Sequence, residues 1–112
     1  MHIAITGASS GIGAGFARAF AARGASLSLV ARRRELLAAL AETLPTSTHL
    51  VPCDLSDPST ATAWLAPAEA ALGPIDVLIN NAGAQVIAPC AEVDVEAGER
   101  SLRLNLHTPL RL

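Results

Sequence analysis

The stretch HIAITGASSGIGAGFARAF, residues 2–20, places three glycines between an apolar segment and an amphipathic segment. Residues 2–6 predict a short strand, and residues 11–23 predict a helix. A glycine-rich turn that joins a strand to a helix offers free backbone N–H groups and the positive end of the helix dipole to an anion. The stretch therefore predicts a phosphate-binding turn. The helix is predicted to carry Ile12, Phe16, Ala19 and Phe20 on one face.

Each glycine of the pattern Gly7-x-x-x-Gly11-x-Gly13 has a separate predicted role. Gly7 lets the chain turn sharply out of the first strand, and Gly11 lets the backbone approach a phosphate without an intervening Cβ. Gly13 lets the helix lie tightly on the strand. Ser9 and Ser10 add hydroxyl donors. A purely structural turn remains the alternative.

Beyond this stretch, strand-like segments alternate with helical segments, without repeats or linker composition. This alternation is typical of a parallel sheet covered by helices, and right-handed crossovers place those helices on both faces. We therefore predict a single domain over residues 1–112, a doubly wound Rossmann-like α/β unit. The further predicted strands are 25–31, 49–51 and 75–79, and the further predicted helices are 33–44, 57–72 and 94–112.

Single residues set several expectations within these segments. Pro67 is expected to kink the third helical segment or to divide it. The strand at 75–79, IDVLI, is apolar enough for burial on both faces. Gly98 and Pro109 weaken the last helix. The leucines expected to face inward from the second helix are Leu36, Leu37, Leu40 and Leu44.

The composition argues against several classes of function. The formal net charge is −2, and the eight basic residues are all arginines, without a basic stripe. Because only 3% of the residues are aromatic, little is available to stack on bases, and we expect no nucleic-acid partner. No apolar run reaches the about 20 residues of a membrane span, so we expect no membrane partner. No cluster of ligands predicts a metal site, and Cys53 and Cys90 indicate reduced thiols in a cytoplasmic protein.

Four motifs follow one another along the whole chain. They are TGASSGIG (6–13), CDLSD (53–57), NNAG (80–83) and LRLNLHTPLRL (102–112). Together they resemble the short-chain dehydrogenases/reductases, a family of NAD(P)-dependent oxidoreductases. The resemblance implies a sheet order of 3-2-1-4 for the four strands. It also implies hydride transfer between a nicotinamide cofactor and a small alcohol or carbonyl substrate.

The resemblance further implies a set of cofactor-binding residues. Asp54 corresponds to the family's adenine contact, with the Leu55 backbone beside it, although a turn-capping role for Asp54 stays open. Of the two adjacent amides, Asn80 is expected to tie neighbouring strands together, and Asn81 is expected to line the cofactor ribose with Gly83. The predicted cofactor-binding residues are Gly7, Ser9, Ser10, Gly11, Ile12, Gly13, Arg32, Arg33, Asp54, Leu55, Asn81, Ala82 and Gly83.

The residues after the second strand indicate which nicotinamide cofactor is preferred. The strand ends at Ala31, where NAD-preferring folds usually carry a carboxylate for the ribose 2′-hydroxyl. Arg32, Arg33 and Arg34 follow, and each charge-assisted hydrogen bond from a guanidinium to phosphate contributes about 1.5–3 kcal/mol. We predict a preference for NADP, with Arg32 as the main contact and Arg33 as the second. Arg34 is expected to be the solvated start of a helix.

Most of the catalytic set that the resemblance implies is absent from the chain. The family uses a Tyr proton donor, a Lys, a Ser and an Asn that holds a water, and only the Asn has a matching position, Asn105. The sequence contains no Tyr and no Lys. His2, His49 and His107 are expected to be structural or surface residues. We therefore expect the cofactor-binding part of an NADP-dependent oxidoreductase, inactive as these 112 residues alone.

Two alternatives to an enzyme fragment stay open at this point: a non-catalytic NADP(H)-binding module and a decayed remnant without an independent role. By the family's sheet order, the strand at 75–79 also lacks a further neighbour, and an exposed apolar strand edge favours association. We expect the isolated chain to be marginally stable, prone to association or dimeric. We expect a homo-oligomer for a full-length form.

Overall fold

The computed structural model describes all 112 residues and contains one four-stranded parallel sheet in the order β3-β2-β1-β4. The predicted Rossmann-like architecture and its strand order are confirmed. None of the helices has the length and apolar character needed to cross a membrane. The strands are β1 (His2–Thr6), β2 (Ser26–Ala31), β3 (Thr48–Pro52) and β4 (Val77–Ile79). The helical elements are α1 (Gly11–Ala21), α2 (Arg34–Ala41), α3 (Leu65–Leu72), a 3-10 turn (Cys90–Glu92), α4 (Val95–Leu102), a π-helical segment (Arg103–His107) and α5 (Thr108–Arg111).

Successive side chains of β1 point to opposite faces of the sheet, and each face therefore carries its own apolar layer. Ile3 and Ile5 belong to the larger buried cluster, to which α1 and α2 contribute. Ala4, between them, belongs to a second cluster with Trp64 and with Ala68 of α3. The sheet is thus covered by helices on both sides.

α1 packs on the sheet through small residues, and the predicted apolar face lies largely outside the core. Ile12 is 73% exposed and Phe16 is 38% exposed, while Ala19 is exposed and Phe20 only borders the core. Because β1 and β2 already present large side chains to α1, close packing requires small residues on the helix. The buried face consists of Gly13, Ala14, Ala17 and Ala21.

α2 carries the predicted leucines on its inner side. Leu37 and Leu40 are buried, and Leu36 and Leu44 are half-buried. The helix itself is shorter than predicted and ends at Ala41, so Leu44 packs against the core from the turn that follows.

α3 begins at Leu65, and residues 55–64 form turns where a helix was predicted from residue 57. Pro67 therefore lies in the first turn of α3. The first N–H groups of a helix have no intrahelical partner, so the missing N–H of a proline is tolerated there. The predicted interruption at Pro67 is wrong.

β4 is an edge strand that pairs only with β1. Val77 is 39% exposed, and Leu78 and Ile79 are half-buried, so the predicted burial on both faces is wrong. The strand is also shorter than the apolar run IDVLI, since Ile75 and Asp76 precede it.

The predicted last helix is three consecutive helical segments. The Asp94 carboxylate accepts the N–H groups of Glu96 and Ala97 at 3.3 and 3.2 Å and so caps α4. Gly98 does not interrupt α4, and Pro109 lies in the first turn of α5. The π-helical segment between them was not predicted.

Gly7 and Gly13 bring β1, α1 and the residues after β4 into close contact. Gly7 has φ of +66°, and a Cβ there would lie 2.9 Å from the Ala82 Cα. A Cβ on Gly13 would lie 2.3 Å from the Gly7 carbonyl oxygen and 2.6 Å from the Asn81 side-chain nitrogen. This geometry agrees with a sharp turn at Gly7 and tight packing at Gly13.

We expect Gly13→Ala to lower the free energy of unfolding by about 1–3 kcal/mol, because its Cβ would meet backbone that cannot move aside. Gly15→Ala is the matched control in the same helix, since the Cβ of residue 15 meets nothing within 4 Å. It should raise the free energy of unfolding by about 0.5–1 kcal/mol through helix propensity. Urea denaturation followed by the fluorescence of Trp64, the only tryptophan, measures both. Equal effects of the two substitutions would contradict the close packing.

The Thr6 hydroxyl joins the carboxyl ends of β1 and β4. Its oxygen accepts the N–H groups of Asn81 and Ala82 at 2.9 and 3.0 Å, and its proton is donated to the Ile79 carbonyl at 3.3 Å. Thr6 is buried, so water cannot replace these hydrogen bonds at that atom.

Thr6→Val should therefore lower the free energy of unfolding by about 2–3 kcal/mol, because two partly buried N–H groups lose their acceptor. Thr6→Ser keeps the hydroxyl and should cost only about 1 kcal/mol for the lost methyl group. The same urea denaturation compares the two variants. A valine variant as stable as the serine variant would rule out a stabilising role for the hydroxyl.

Candidate functional site

A cleft with a volume of about 480 Å³ opens at the carboxyl ends of the strands. Parallel α/β sheets bind ligands at this edge, where the loops after the strands converge. One side of the cleft is formed by loops after β1, β2 and β3, and the other by the loop after β4 and by α4. Ten predicted cofactor-binding residues line it: Gly7, Ser9, Ser10, Arg32, Arg33, Asp54, Leu55, Asn81, Ala82 and Gly83.

The start of α1 presents a row of free backbone donors. The N–H groups from Ser9 to Gly13 donate to no atom of the chain. Ser10 is the N-cap residue, and its side chain makes no capping hydrogen bond. The helix dipole adds about half a positive charge at this end. The row is therefore suited to an anion.

Three of the predicted cofactor-binding residues, and the predicted catalytic Asn105, do not line the cleft. Gly11 has φ of +54° and open space at its Cβ position, and Gly13 is buried behind the turn. The Ile12 side chain points to solvent. Gly11, Ile12 and Gly13 can contribute to this site through their N–H groups alone.

Two guanidinium groups face the cleft where β2 ends. Arg32 and Arg33 line it, whereas Arg34 starts α2 and lies outside it. The only ion pair of the structure joins Arg103 and Glu96, so neither Arg32 nor Arg33 has a carboxylate partner. Arg33 makes one long hydrogen bond, of 3.4 Å, to the Ser9 hydroxyl. Both charges are thus available to an anionic ligand.

In the loop after β3, on the same side of the cleft as Arg32 and Arg33, Asp54 forms a turn with Ser56. Its Oδ1 accepts the Ser56 hydroxyl at 2.7 Å and the Ser56 N–H at 3.0 Å. These two hydrogen bonds lower the pKa of the Asp54 carboxyl, and the Arg32 charge adds to the effect, while partial burial opposes it. The turn-capping contact is therefore present, and the second carboxylate oxygen makes no hydrogen bond within the chain. The Leu55 N–H beside it has no partner in the chain.

Of the two adjacent amides, Asn81 and not Asn80 ties the neighbouring strands together. Asn80 is exposed and makes no side-chain hydrogen bond, so the prediction that it ties the strands is wrong. Asn81 does so instead, because its side-chain NH₂ group donates to the carbonyls of Thr6 at 3.0 Å and Gly7 at 3.3 Å. Asn81 also lines the cleft.

Asn105 lies in the π-helical segment and is fixed to the loop after β4. Its NH₂ group donates to the Ala84 carbonyl at 2.7 Å and to the Ser101 hydroxyl at 2.9 Å. Its Oδ1 accepts the Ala84 N–H at 3.1 Å. Both amide protons are used, so only the side-chain oxygen retains a free lone pair. Asn105 borders a shallow depression beside the main cleft, with Gly83 and Gln85.

The contribution of α4 to the cleft was not predicted. The α4 residues that line the cleft are three and four positions apart and therefore share one helical face. Counting back from Asn105 at the same spacing would have predicted that face. Cys53 was also missed, and burial raises the pKa of its thiol. The lining residues that were not predicted on α4 and just after it are Ala97, Arg100, Ser101 and Leu104. Ala84, Gln85 and Val86, which follow the NNAG motif, also line the cleft.

The histidines lie away from the cleft, and no group of metal-ligating side chains lies together. His2 is buried at the opposite end of β1. Its ring nitrogens contact the Gly73 carbonyl at 2.7 Å and the Ser28 hydroxyl at 2.8 Å. His49 and His107 do not line the cleft.

Comparison with known proteins gives concordant results. The family model described as short chain dehydrogenase matches residues 1–112. A fatty acyl-CoA reductase of Mycobacterium tuberculosis is 42% identical over 99% of this chain, which spans 40% of that relative. A blue fluorescent protein from a metagenomic library, in complex with NADPH, has a TM-score of 0.91 at 31% identity over 97% of this chain and 47% of its own. A metagenomic short-chain oxidoreductase in complex with NADP has a TM-score of 0.85 at 34% identity over 98% of this chain and 52% of its own.

The chain thus spans about two fifths of the curated relative and about half of each solved structure. The family match extends from the first residue to the last and includes the glycine turn, the Asp54 loop and the residues after β4. The chain belongs to the short-chain dehydrogenase family.

Proposed function

We propose that the chain is the cofactor-binding part of an oxidoreductase that transfers hydride between NADP(H) and an alcohol or carbonyl substrate. The observation that carries this proposal is the presence, in one cleft, of free N–H groups at a helix start and of the unpaired guanidinium groups of Arg32 and Arg33. The N–H row suits a pyrophosphate. Arg32 and Arg33 suit a 2′-phosphate, and Ala31 supplies no carboxylate to repel it.

The remaining residues of the cleft fit the rest of the cofactor. Asp54 retains a free carboxylate oxygen for an adenine amino group, and the Ser56 hydrogen bonds that fix the carboxyl also lower its pKa. The free Leu55 N–H lies beside it. Asn81, Ala82 and Gly83 provide the wall for a ribose. When bound, the cofactor supplies the hydride. Further support comes from the two structural neighbours that contain NADPH or NADP.

The chain supplies one residue of the proposed proton relay. Asn105 is held by Ala84 and Ser101, and its Oδ1 has a lone pair for a water. A general acid for the developing alkoxide is required in addition, and the sequence has no Tyr and no Lys for that role. We therefore propose that these 112 residues bind cofactor but do not turn over substrate. Homo-oligomerisation belongs to the proposed full-length form, and two free thiols favour a cytoplasmic location.

Replacement of Arg32 tests the cofactor preference. Arg32→Ala should weaken NADPH binding about tenfold to a hundredfold, because one or more charge-assisted hydrogen bonds to the 2′-phosphate are lost. NADH binding should change little. Arg34→Ala is the matched control, since Arg34 lies outside the cleft. Quenching of Trp64 fluorescence or calorimetry gives the Kd values. NADH binding as tight as NADPH binding in the unmodified chain would overturn the preference.

A non-catalytic NADP(H)-binding module is the second candidate, favoured by the absence of Tyr and Lys. We expect the 112-residue chain to bind NADPH without oxidising it in the presence of simple aldehydes and ketones, measured by NADPH absorbance. Turnover at a measurable rate would contradict that expectation. The coding sequence 3′ of Leu112 separates the two candidates. A Tyr-x-x-x-Lys motif there supports the enzyme, and an immediate stop codon supports the module.

A further inference from the structure

Thr108 is the only buried residue between residues 83 and 112. Its hydroxyl donates to the carbonyl of Leu55, which is also buried, at 2.6 Å. This hydrogen bond connects the start of α5 with the loop after β3, across 53 residues of sequence. The C-terminal helical segments are therefore fixed to one wall of the cleft by a single buried polar contact.

The hydrogen bond to the Leu55 carbonyl also affects the position of the Asp54 carboxylate. The carbonyl of Leu55 and the N–H of Ser56 belong to one planar peptide group, so fixing the oxygen also fixes the N–H direction. That N–H donates to the Asp54 Oδ1 at 3.0 Å. A continuous path thus runs from the Thr108 hydroxyl through one peptide to the Asp54 carboxylate.

The same helical segments are also fixed to the other wall. Asn105 lies three residues before Thr108 and is bonded to both the N–H and the carbonyl of Ala84, in the loop after β4. The segment from Asn105 to Thr108 therefore spans the two loops between which the cleft opens. The hydrogen bonds of Asn105 and Thr108 therefore fix the distance between those two loops.

We propose that Thr108 is a positioning residue for nucleotide binding: through the Leu55–Ser56 peptide it orients the Asp54 carboxylate at the adenine end of the cleft. This inference rests on the proposed function for its ligand. It assigns to Thr108 no contact with the nucleotide. Its effect should be confined to the adenine half, because the pyrophosphate donors of α1 belong to a different loop.

The chain contains an internal control for this relay. Asp57 and Ser59 form a second turn of the same kind, in which the Asp57 Oδ1 accepts the Ser59 hydroxyl at 2.7 Å and the Ser59 N–H at 2.9 Å. The residue between them is Pro58, and no hydrogen bond joins this turn to α5. The Asp57 N–H donates to the Asp54 carbonyl at 3.2 Å, so the second turn is connected to the first through the Asp54 backbone and not through the Leu55–Ser56 peptide. A change at Thr108 that acts through the relay should alter the first turn and leave the second unaffected.

The test compares Thr108→Val, which removes the hydroxyl at nearly constant shape, with Thr108→Ser, which keeps it. Amide exchange of Ser56 and Ser59 is measured by NMR without ligand, and Kd values are measured for 2′,5′-ADP and for inorganic pyrophosphate. In the valine variant, Ser56 exchange should accelerate and 2′,5′-ADP should bind about tenfold more weakly. Ser59 exchange and the Kd of pyrophosphate should stay unchanged. The serine variant should restore both wild-type values.

Unchanged Ser56 exchange and unchanged 2′,5′-ADP affinity in the valine variant would overturn the proposal. Equal acceleration at Ser56 and Ser59 would also overturn it, because that result indicates general loosening. If Thr108→Val does not fold, Thr108→Ala provides the same loss of the hydroxyl without a second methyl group. A wild-type chain that binds no 2′,5′-ADP would overturn the proposed function, whereas a selective change at Ser56 would still support the relay.

Discussion

The turn after β1 passes close to the residues after β4. The two backbone segments are in contact there, with almost no side chain between them. A Cβ at Gly7 would lie 2.9 Å from the Ala82 Cα, and a Cβ at Gly13 would lie 2.6 Å from the Asn81 side-chain nitrogen. The Asn81 amide and the Thr6 hydroxyl supply the hydrogen bonds around this contact. Because α1 is held here, its first N–H groups point along the edge of the sheet. The loops after β1 and β4 then form two sides of one cleft.

Much of the fold was predictable because its signals are local. Four apolar segments separated by helical segments indicate a parallel sheet, and the strand order followed from motifs that the whole family shares. The positions of Arg32, Arg33 and Asp54 in the cleft were predictable for the same reason. Each directly follows a strand, and the carboxyl ends of parallel strands meet at one edge.

The features that were not predicted depend on packing partners distant in sequence. Helical spacing identified Ile12 and Phe16 as an apolar face, but the large side chains of β1 and β2 admit only the Gly and Ala face of α1. Asn80 and Asn81 are chemically identical, and only the three-dimensional path of the chain after β4 decides which amide reaches Thr6. The π-helical segment has no local signal either. In the structure it lies between two contacts, one with Ala84 and one with Leu55.

The donors at the anion-binding end of α1 are main-chain N–H groups. This affects which positions of the turn can vary during evolution. Ile12 contributes to the site only through its N–H, while its side chain points to solvent, so most replacements there leave the donor in place. Gly7 and Gly13 cannot be replaced in this way, because the Cβ of any other residue would collide with backbone. Sequence drift should therefore be fast at Ile12 and slow at Gly7 and Gly13, although Gly13 supplies a donor as well.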